Sequence, residues 1–277
     1  MLRSILVALD DSGPSAAAQE LAIDLAKRFG AEITGLAVLD RAHITAPTAV
    51  GIGGFAYKEH RDQVKLEEAK AFLGRLERQF QASCEALGTR WQVIEAEGVP
   101  HQMLEDEAAR HDLLVVGQDT DFHFDEHPRV ADTVQRLLRD HPRPLIVCPQ
   151  QCRLGGPVVA ATDGSLRASR ALHMLALLGL AQGVPVHVVA VAPDQALAEH
   201  RAKMVRDLFV KHDLEVHEHA IASRGGPAEI ILEQASRLGA TLLALGPSGH
   251  GALHDLFLGS TTRRVVGVCP CPVFLYH

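Results

Sequence analysis

The sequence has neither a long apolar run nor an excess of basic residues. No stretch of about eighteen apolar residues occurs, so no membrane-spanning helix is expected. The apolar run Ile5 to Leu9 at the amino terminus is too short for the core of a signal peptide, and none is expected. The formal net charge of −7 gives no basic footprint for nucleic acid or anionic lipid. We therefore predict neither a membrane protein nor a nucleic-acid-binding protein.

The chain is long enough for two domains, and it repeats itself. It has 277 residues, of which 47% are apolar and 22% charged, as in ordinary globular proteins. Residues 5–15 and 158–168 each form a short apolar run that ends in Asp and is followed by a Ser suited to cap a helix. Asp10 thus corresponds to Asp163.

The two halves also end alike. A Gly-x-Pro triplet, residues 98–100 or 225–227, precedes a helical stretch, a strand that reaches a Gly, and a closing strand. Strands that alternate with helices across short turns predict an α/β fold with right-handed crossovers. We predict two tandem doubly wound, Rossmann-like domains, each with a mainly parallel five-stranded sheet flanked by helices. We place them at 1–150 and 151–277, with a linker at 150–156.

The halves differ between their second and third strands. The first half has a segment, Arg41 to Tyr57, that is rich in Gly, Ala, Pro and Thr and is predicted to be a loop. A long charged helix near Lys58 to Leu87 follows it. The second half shortens this whole region to roughly Pro193 to His212.

The five cysteines are an odd number in a long chain with no secretory signal. This usage predicts reduced thiols in the cytoplasm. Pairing of the two closing strands would bring Cys148 near Cys269 or Cys271, with Cys152 close by in sequence. We interpret these residues as buried, unreactive thiols rather than as a metal site.

A glycine-rich segment follows the apolar run 241–245. It places Gly246, Gly249 and Gly259 ahead of Ser260, which is predicted to open a helix. Glycine amides can converge on an anion, and a helix start offers unpaired N–H groups and partial positive charge. The segment is neither a Walker A loop nor the dinucleotide G-x-G-x-x-G pattern. The alternative interpretation is a glycine-rich surface turn.

The spacing G-x2-G-x9-G-S resembles the nucleotide-binding signature of the ATP-binding universal stress proteins. With its repeat, the whole chain is similar to a tandem universal stress protein. The resemblance implies that the halves pair through their last strands as an internal pseudo-dimer. It also implies ATP as ligand, together with Mg²⁺, although ADP, AMP or a cyclic nucleotide would suit the same loop.

The resemblance further implies which residues hold the nucleotide. Asp163 is expected near the nucleoside, the backbone at Val191 at the adenine edge, and the glycine loop at the ribose and phosphates. Helix capping is the alternative role for Asp163, and an exposed loop position is the favoured interpretation of His250. The full predicted set is Ala161, Thr162, Asp163, Val191, Gly246, Ser248, Gly249, His250, Gly259, Ser260 and Thr261.

The equivalent loop of the first half is acidic. Alignment from the closing strand puts Ala131 and Asp132 where the second half has Gly259 and Ser260, so the phosphate signature is lost. Acidic side chains there would repel a phosphate, and we predict no ATP site of the family type in this half. A metal site is the alternative interpretation of this loop, but a solvated acidic loop is favoured because no fixed zinc spacing occurs. Its candidate ligands are Asp121, His123, Asp125 and His127.

No arrangement of nucleophile, base and acid is evident, so no catalytic residue is predicted. The favoured hypothesis is an ATP-binding stress-response protein of the cytoplasm with at most slow ATP hydrolysis. One alternative is a nucleotide-independent module in which the Arg41 to Tyr57 segment meets a protein partner. Another is a nucleotide-using enzyme on a related fold. Whether the tandem chain forms a homodimer stays open.

Overall fold

Two similar five-stranded units form the sheet of this protein. The computed structural model describes residues 1–46, 55–122, 132–140, 143–153, 155–246 and 259–277. The elements of the first half are β1 Ser4–Ala8, α1 Gly13–Phe29, β2 Glu32–Leu39, α2 Arg41–Ile44, α3 Phe55–Leu87, β3 Arg90–Glu97, α4 Pro100–Ala108, β4 Leu113–Gly117, α5 Asp132–Asp140 and β5 Leu145–Cys148. Those of the second half are β6 Val158–Thr162, α6 Leu166–Leu178, β7 Val186–Ala192, α7 Gln195–Val210, β8 Val216–Ala222, α8 Pro227–Arg237, β9 Leu242–Leu245, α9 Ser260–Val268 and β10 Val273–Leu275.

The ten strands form one sheet in the order β3-β2-β1-β4-β5-β10-β9-β6-β7-β8. Within each half all neighbouring strands are parallel, which confirms the predicted doubly wound α/β class. The closing strands β5 and β10 pair antiparallel, with Phe274 opposite Ile146. As predicted, the halves therefore meet through their last strands. This seam joins two five-stranded sheets into a continuous ten-stranded one.

The first helix of each half begins at the serine that the repeat predicted. The Ser12 hydroxyl accepts a hydrogen bond from the Ser15 amide at 3.1 Å. The Ser165 hydroxyl accepts one from the Ala168 amide at the same distance. Such caps satisfy an amide that the helix itself leaves unpaired. The same kind of serine cap therefore begins the first helix of both halves.

Apolar layers cover both faces of the sheet. Helices α1, α3, α6 and α7 pack on one face, and α4, α5, α8 and α9 pack on the other. Phe80 on α3 and Phe209 on α7 are fully buried in the first layer, one in each half. Each layer runs across the seam, so the halves share their hydrophobic cores. No described helix is long and apolar enough to cross a membrane.

The largest difference between the halves lies between their second and third strands. Helix α3 has 33 residues, whereas α7 has 16. The predicted loop from Arg41 to Tyr57 is partly helical, because the Asp40 carboxylate accepts a hydrogen bond from the His43 amide at 2.9 Å and caps the short helix α2. The predicted linker 150–156 lies between β5 and β6.

All five cysteines are free thiols, and Cys152 alone among them is half-buried rather than buried. The Sγ atoms of Cys269 and Cys271 lie 3.5 Å apart, next to the seam between β5 and β10. Cys148 ends β5 and packs in the apolar layer on the opposite face from Cys269 and Cys271. The arrangement suits the interpretation of structural, buried thiols.

Candidate functional site at the carboxyl ends of the second-half strands

The predicted nucleotide residues of the second half gather at one edge of the sheet. Asp163 follows β6, Val191 lies near the end of β7, and Gly246 follows β9. These strands are parallel neighbours in the order β9-β6-β7, so their carboxyl ends meet. Helix α9 begins at Ser260, after the connection from the same end of β9. This is the edge at which doubly wound sheets bind ligands.

The turn after β6 is held by its own side chains. Asp163 Oδ1 accepts a hydrogen bond from the Ser165 amide at 2.9 Å, and Thr162 Oγ1 accepts one from the Gly164 amide at 3.1 Å. The cap of α6 is Ser165, so Asp163 shapes the turn before the helix and does not occupy the cap position. The Ala161 side chain lies in the apolar core, and only its backbone is available to a ligand.

Arg201 on α7 is a member of this edge that sequence reasoning missed. Its Nη1 donates a hydrogen bond to the Val191 carbonyl oxygen at 3.2 Å. A Cβ atom on Gly164, which has φ +75°, would lie 2.8 Å from Arg201 Nε. The guanidinium therefore crosses the turn after β6 and the end of β7. A signal was present, because Arg201 lies at helical spacing between the buried residues Ala198 and Val205.

Gly246 is needed for packing, whether or not a ligand binds. A Cβ atom there would lie 2.3 Å from the backbone nitrogen of Ala168, at the start of α6. Gly117 has the same place in the first half, where a Cβ atom would lie 2.5 Å from the Ser15 nitrogen and 2.6 Å from the carbonyl carbon of Pro14. Both glycines allow the fourth strand of a half to approach its first helix closely.

Helix α9 begins where the sequence predicts, and Gly259 holds its cap position without a side-chain hydrogen bond. The first-turn amides of any α-helix lack partners within the helix and carry partial positive charge. Ser260 is exposed and Thr261 is half-buried. Of the two arginines that follow, Arg264 Nε lies 3.7 Å from Glu229 on α8. Three predicted residues lie outside the described residues: Ser248, Gly249 and His250.

The first half has a more deeply buried carboxylate at the corresponding turn. Asp10 is 3% exposed, and its Oδ1 accepts a hydrogen bond from the Ser12 amide at 2.8 Å. Asp10 Oδ2 has no hydrogen-bond partner among the described residues. Burial raises the pKa of Asp10, opposed by hydrogen bonding from Ser12 and by the nearby Thr120 hydroxyl. Asp163 is half-buried by comparison.

A cavity of about 390 Å³ lies at the carboxyl ends of β1 and β2, between them and α3. Its walls combine acidic, basic and aromatic side chains, and sequence reasoning did not predict it. Phe122, which follows β4, is buried in the wall with φ +56°, a backbone conformation that is strained for a bulky residue. The lining of the cavity includes Asp11, Asp40, His43, Lys65, Phe72 and Phe122.

The acidic loop of the first half is described only in part. Thr133 Oγ1 donates a hydrogen bond to Asp121 Oδ1 at 3.4 Å. Helix α5 begins at Asp132, the position that alignment equates with Ser260. The other three candidate metal ligands of this loop lie outside the described residues: His123, Asp125 and His127.

Comparisons with known proteins agree on one family. The model of the Universal stress protein family matches residues 1–149 and again residues 156–277. Universal stress protein Slr1230 from Synechocystis is 25% identical over 297 residues and covers the whole of both chains. The crystal structure of a universal stress protein from Archaeoglobus fulgidus covers 98% of this chain and 97% of its own, with a TM-score of 0.70 and 22% identity.

A second Archaeoglobus fulgidus universal stress protein was solved in complex with dAMP. It is 26% identical, covers 44% of this chain and 98% of its own, and gives a TM-score of 0.36. The two family matches and the full-length relative show that this chain belongs to the universal stress protein family, as two tandem domains.

Proposed function

We propose that this protein binds one adenine nucleotide, ATP with Mg²⁺, at the carboxyl ends of β6, β7 and β9. The observation that carries the proposal is the start of α9. Gly259 leaves its first turn without a side-chain cap, and Ser260 adds a hydroxyl at the same point. Unpaired amides beside a hydroxyl suit a phosphate chain. The first half starts its corresponding helix with an acidic residue, Asp132.

Each part of the nucleotide has its own place at this edge. The phosphates lie at Gly259, Ser260 and Thr261, completed by the glycine segment before them. The nucleoside lies between Asp163 and Val191. A planar guanidinium stacks readily on a flat ring, so Arg201 would contact the base or move aside for it.

The bound nucleotide serves a regulatory, stress-response role with at most slow hydrolysis. A binding site that spans the ends of three strands can change the packing of the helices that follow those strands. The five free thiols suit a reducing compartment, which supports a cytoplasmic role. A protein partner or a second copy of the chain, in a homodimer, would respond to the change in helix packing.

Calorimetric titration of the full chain with ATP and Mg²⁺ tests the proposal. Wild-type protein should bind one nucleotide per chain. Gly259→Asp should abolish binding because it puts negative charge at the helix start, whereas Asp132→Ser in the first half should leave binding unchanged. Absence of bound nucleotide in the wild-type protein would overturn the proposal.

The cavity in the first half favours a second candidate, a nucleotide-independent interaction role. Its volume of about 390 Å³ is within the usual range of ligand pockets. Its walls carry the acidic side chains of Asp11 and Asp40 together with the basic side chains of Lys65 and Arg75. If the nucleotide titration fails, this candidate becomes the better account of the protein.

A further inference from the structure

Three histidines lie together on one face of the sheet, far from the glycine segment in sequence. His187 is on β7, and His217 and His219 are on the edge strand β8. The register places His187 directly opposite His217, with Val189 opposite His219. Side chains alternate along a strand, so His217 and His219 project to the same side as His187. The three imidazoles therefore form one cluster, here called the β7–β8 histidine cluster.

Two rings of the β7–β8 histidine cluster are in direct contact. His187 Nδ1 lies 3.0 Å from His219 Nε2, so one ring donates a hydrogen bond and the other accepts it. The His217 ring stacks on His187 with centroids 5.0 Å apart and 25° between the planes. His217 Nε2 in turn lies 3.1 Å from Glu215 Oε1. Glu215 therefore orients His217, the ring that stacks on His187.

Burial and neighbouring groups lower the pKa of both contacting rings. Burial lowers the pKa of His187, and the positive charges of His217 and Arg237 lower it further, against a smaller opposing effect of Glu215. Burial also lowers the pKa of His219, with contributions from His187, Arg237 and His217.

The separation of the two nitrogens matches two adjacent ligands of one metal ion. With metal–nitrogen bonds of about 2.05 Å, a nitrogen separation of 3.0 Å corresponds to an angle at the metal of roughly 94°. An angle near 90° suits the square or tetragonal geometry of Cu²⁺ and Ni²⁺ better than the tetrahedral geometry of Zn²⁺. In the hydrogen-bonded pair the two nitrogens point toward each other, so each ring must turn by roughly 43° for both lone pairs to meet at a metal ion.

We propose that His187 and His219 form a chelating site for a divalent transition metal ion, with Cu²⁺ bound most tightly. Each neutral ring carries one proton, which moves to or stays on the nitrogen away from the metal, so binding releases no proton from the pair. The described residues contain no group of three or more His, Cys, Asp or Glu side chains arranged to hold a metal ion. The pair therefore supplies two ligands, and water completes the coordination.

The charged groups around His187 and His219 have opposite effects on a bound cation. Arg237 on α8 is close enough to lower the pKa of both rings, and its positive charge disfavours a bound cation. Its guanidinium is held by two hydrogen bonds to Gln234 Oε1. The Glu215 carboxylate, which contacts His217, adds a negative charge near the pair. Removing Arg237 should therefore strengthen metal binding.

The first half shows that the sheet does not need histidines at these places. The register equates Thr34 with His187 and Gln92 with His217. There Gln92 Nε2 donates to Thr34 Oγ1 at 2.9 Å, and His111 Nε2 lies 2.9 Å from the same hydroxyl. His111 Nδ1 lies 2.9 Å from the Glu107 carbonyl oxygen. These hydrogen bonds use both ring nitrogens of His111. The two tandem domains therefore differ at matched positions, with Thr34 and Gln92 in the first half and His187 and His217 in the second.

Calorimetric titration of the full chain with CuCl₂, NiCl₂ or ZnCl₂ in a non-coordinating buffer tests the site. We expect one ion per chain, with Cu²⁺ the tightest. His219→Gln and His187→Thr, the latter copying the first half, should each weaken Cu²⁺ binding by at least about tenfold, the loss that even outer-shell partners can cause. Arg237→Gln should tighten it.

The matched control is His173→Gln. His173 is exposed on α6, where its ring meets that of His212 edge-on at 5.8 Å. This variant should bind Cu²⁺ like the wild type. Electron paramagnetic resonance of the Cu²⁺ complex should show two equatorial imidazole nitrogens in the wild type and one in His219→Gln. Circular dichroism confirms that each variant is folded.

Two outcomes would overturn the proposal. One is wild-type protein that binds Cu²⁺ no more tightly than His187→Thr. The other is equal weakening in His173→Gln, which would assign the binding to surface histidines in general. Neither outcome depends on nucleotide binding, so this test is independent of the proposed function.

Discussion

The same strand–turn–helix unit occurs twice in this protein, with one difference that matters for binding. In both halves an Asp follows the first strand and accepts a hydrogen bond from the amide of the capping serine, Ser12 or Ser165. In the first half that carboxylate, Asp10, is 3% exposed, whereas Asp163 in the second half is half-buried. The two turns therefore have the same backbone hydrogen bond, but their carboxylates differ in exposure to solvent or to a ligand. A shared local geometry therefore does not imply a shared binding site.

The residues after the fourth strand extend this comparison. Gly117 and Gly246 both allow close packing against the first helix of their half. The segments after these two glycines differ, since the first half continues into an acidic segment and the second into the glycine segment. The glycine that allows close packing is present in both halves, whereas the Gly-Ser pair that we propose for the phosphates is present only in the second.

The largest expected effect comes from filling the space at these glycines. Gly117→Ala and Gly246→Ala should each lower the free energy of unfolding by about 2–3 kcal/mol, because the new methyl group would overlap backbone atoms of the adjacent helix. Urea-induced unfolding measures the change. Gly267→Ala is the control, because a Cβ atom there meets nothing within 4 Å and alanine favours the helix.

Equal losses at the two glycines would confirm that they have the same structural role. A loss at Gly117 alone would contradict the assigned role of Gly246 in packing. For the same reason Gly246→Ala is a poor test of nucleotide binding, and Gly259→Asp is the better one.

The capping serines should give the next effect. Ser12→Ala and Ser165→Ala should each cost about 1 kcal/mol, because each removes the acceptor for one amide at a helix start. Thermal or urea unfolding of the two single variants measures the losses. We expect them to agree within about 0.5 kcal/mol, since both caps have the same geometry. A clearly larger loss in one half would show that the surrounding structure, rather than the cap, determines the cost.

The buried carboxylate should give an effect that depends on pH. Because the folded-state pKa of Asp10 is raised, the folded state holds its proton more strongly than the unfolded state. Stability from this group is therefore highest below the unfolded pKa of about 3.8 and falls as the pH rises through the higher folded-state value. Asp10→Asn should remove this dependence. Relative to wild type, the variant should therefore gain stability between pH 4 and pH 7.

Urea unfolding of wild type and Asp10→Asn at pH 4 and pH 7 measures that gain. Asp163→Asn is the matched substitution at the half-buried position, and its effect on stability should be smaller. A gain of equal size in both variants would contradict the claim that burial distinguishes the two carboxylates.

Much of the fold could be predicted because its determinants are local. The capping serines, the Asp before each and the alternation of apolar strands with helices all lie within short stretches of sequence. The start of α9 was likewise predicted from the capping preference of Ser260, and the start of α5 at Asp132 from the alignment of the two halves. The predicted loop after Arg41 was partly wrong because the cap at Asp40 was not recognised, although Asp is a usual capping residue.

The candidate site could be predicted only in outline. The family resemblance carried by the repeat and the glycine spacing predicted Asp163, Val191 and the start of α9 as nucleotide-binding residues, which stays a prediction. It did not identify Arg201, because a charged side chain on a helix gives no sign of which strand end it will reach. The first-half cavity was missed for a similar reason, since its walls come from the residues after β1 and β2, from α2 and α3, and from Phe122.

The sequence by itself determined the two-domain repeat, the order of strands and helices along the chain and the doubly wound class. Those features depend on the period of apolar residues and on caps, which act over a few residues. Only the tertiary structure decided the register in which β5 and β10 join the halves in one sheet. It also decided that His187 meets His219 across 32 positions of sequence. Such contacts depend on register and packing between distant segments, and no local pattern specifies them.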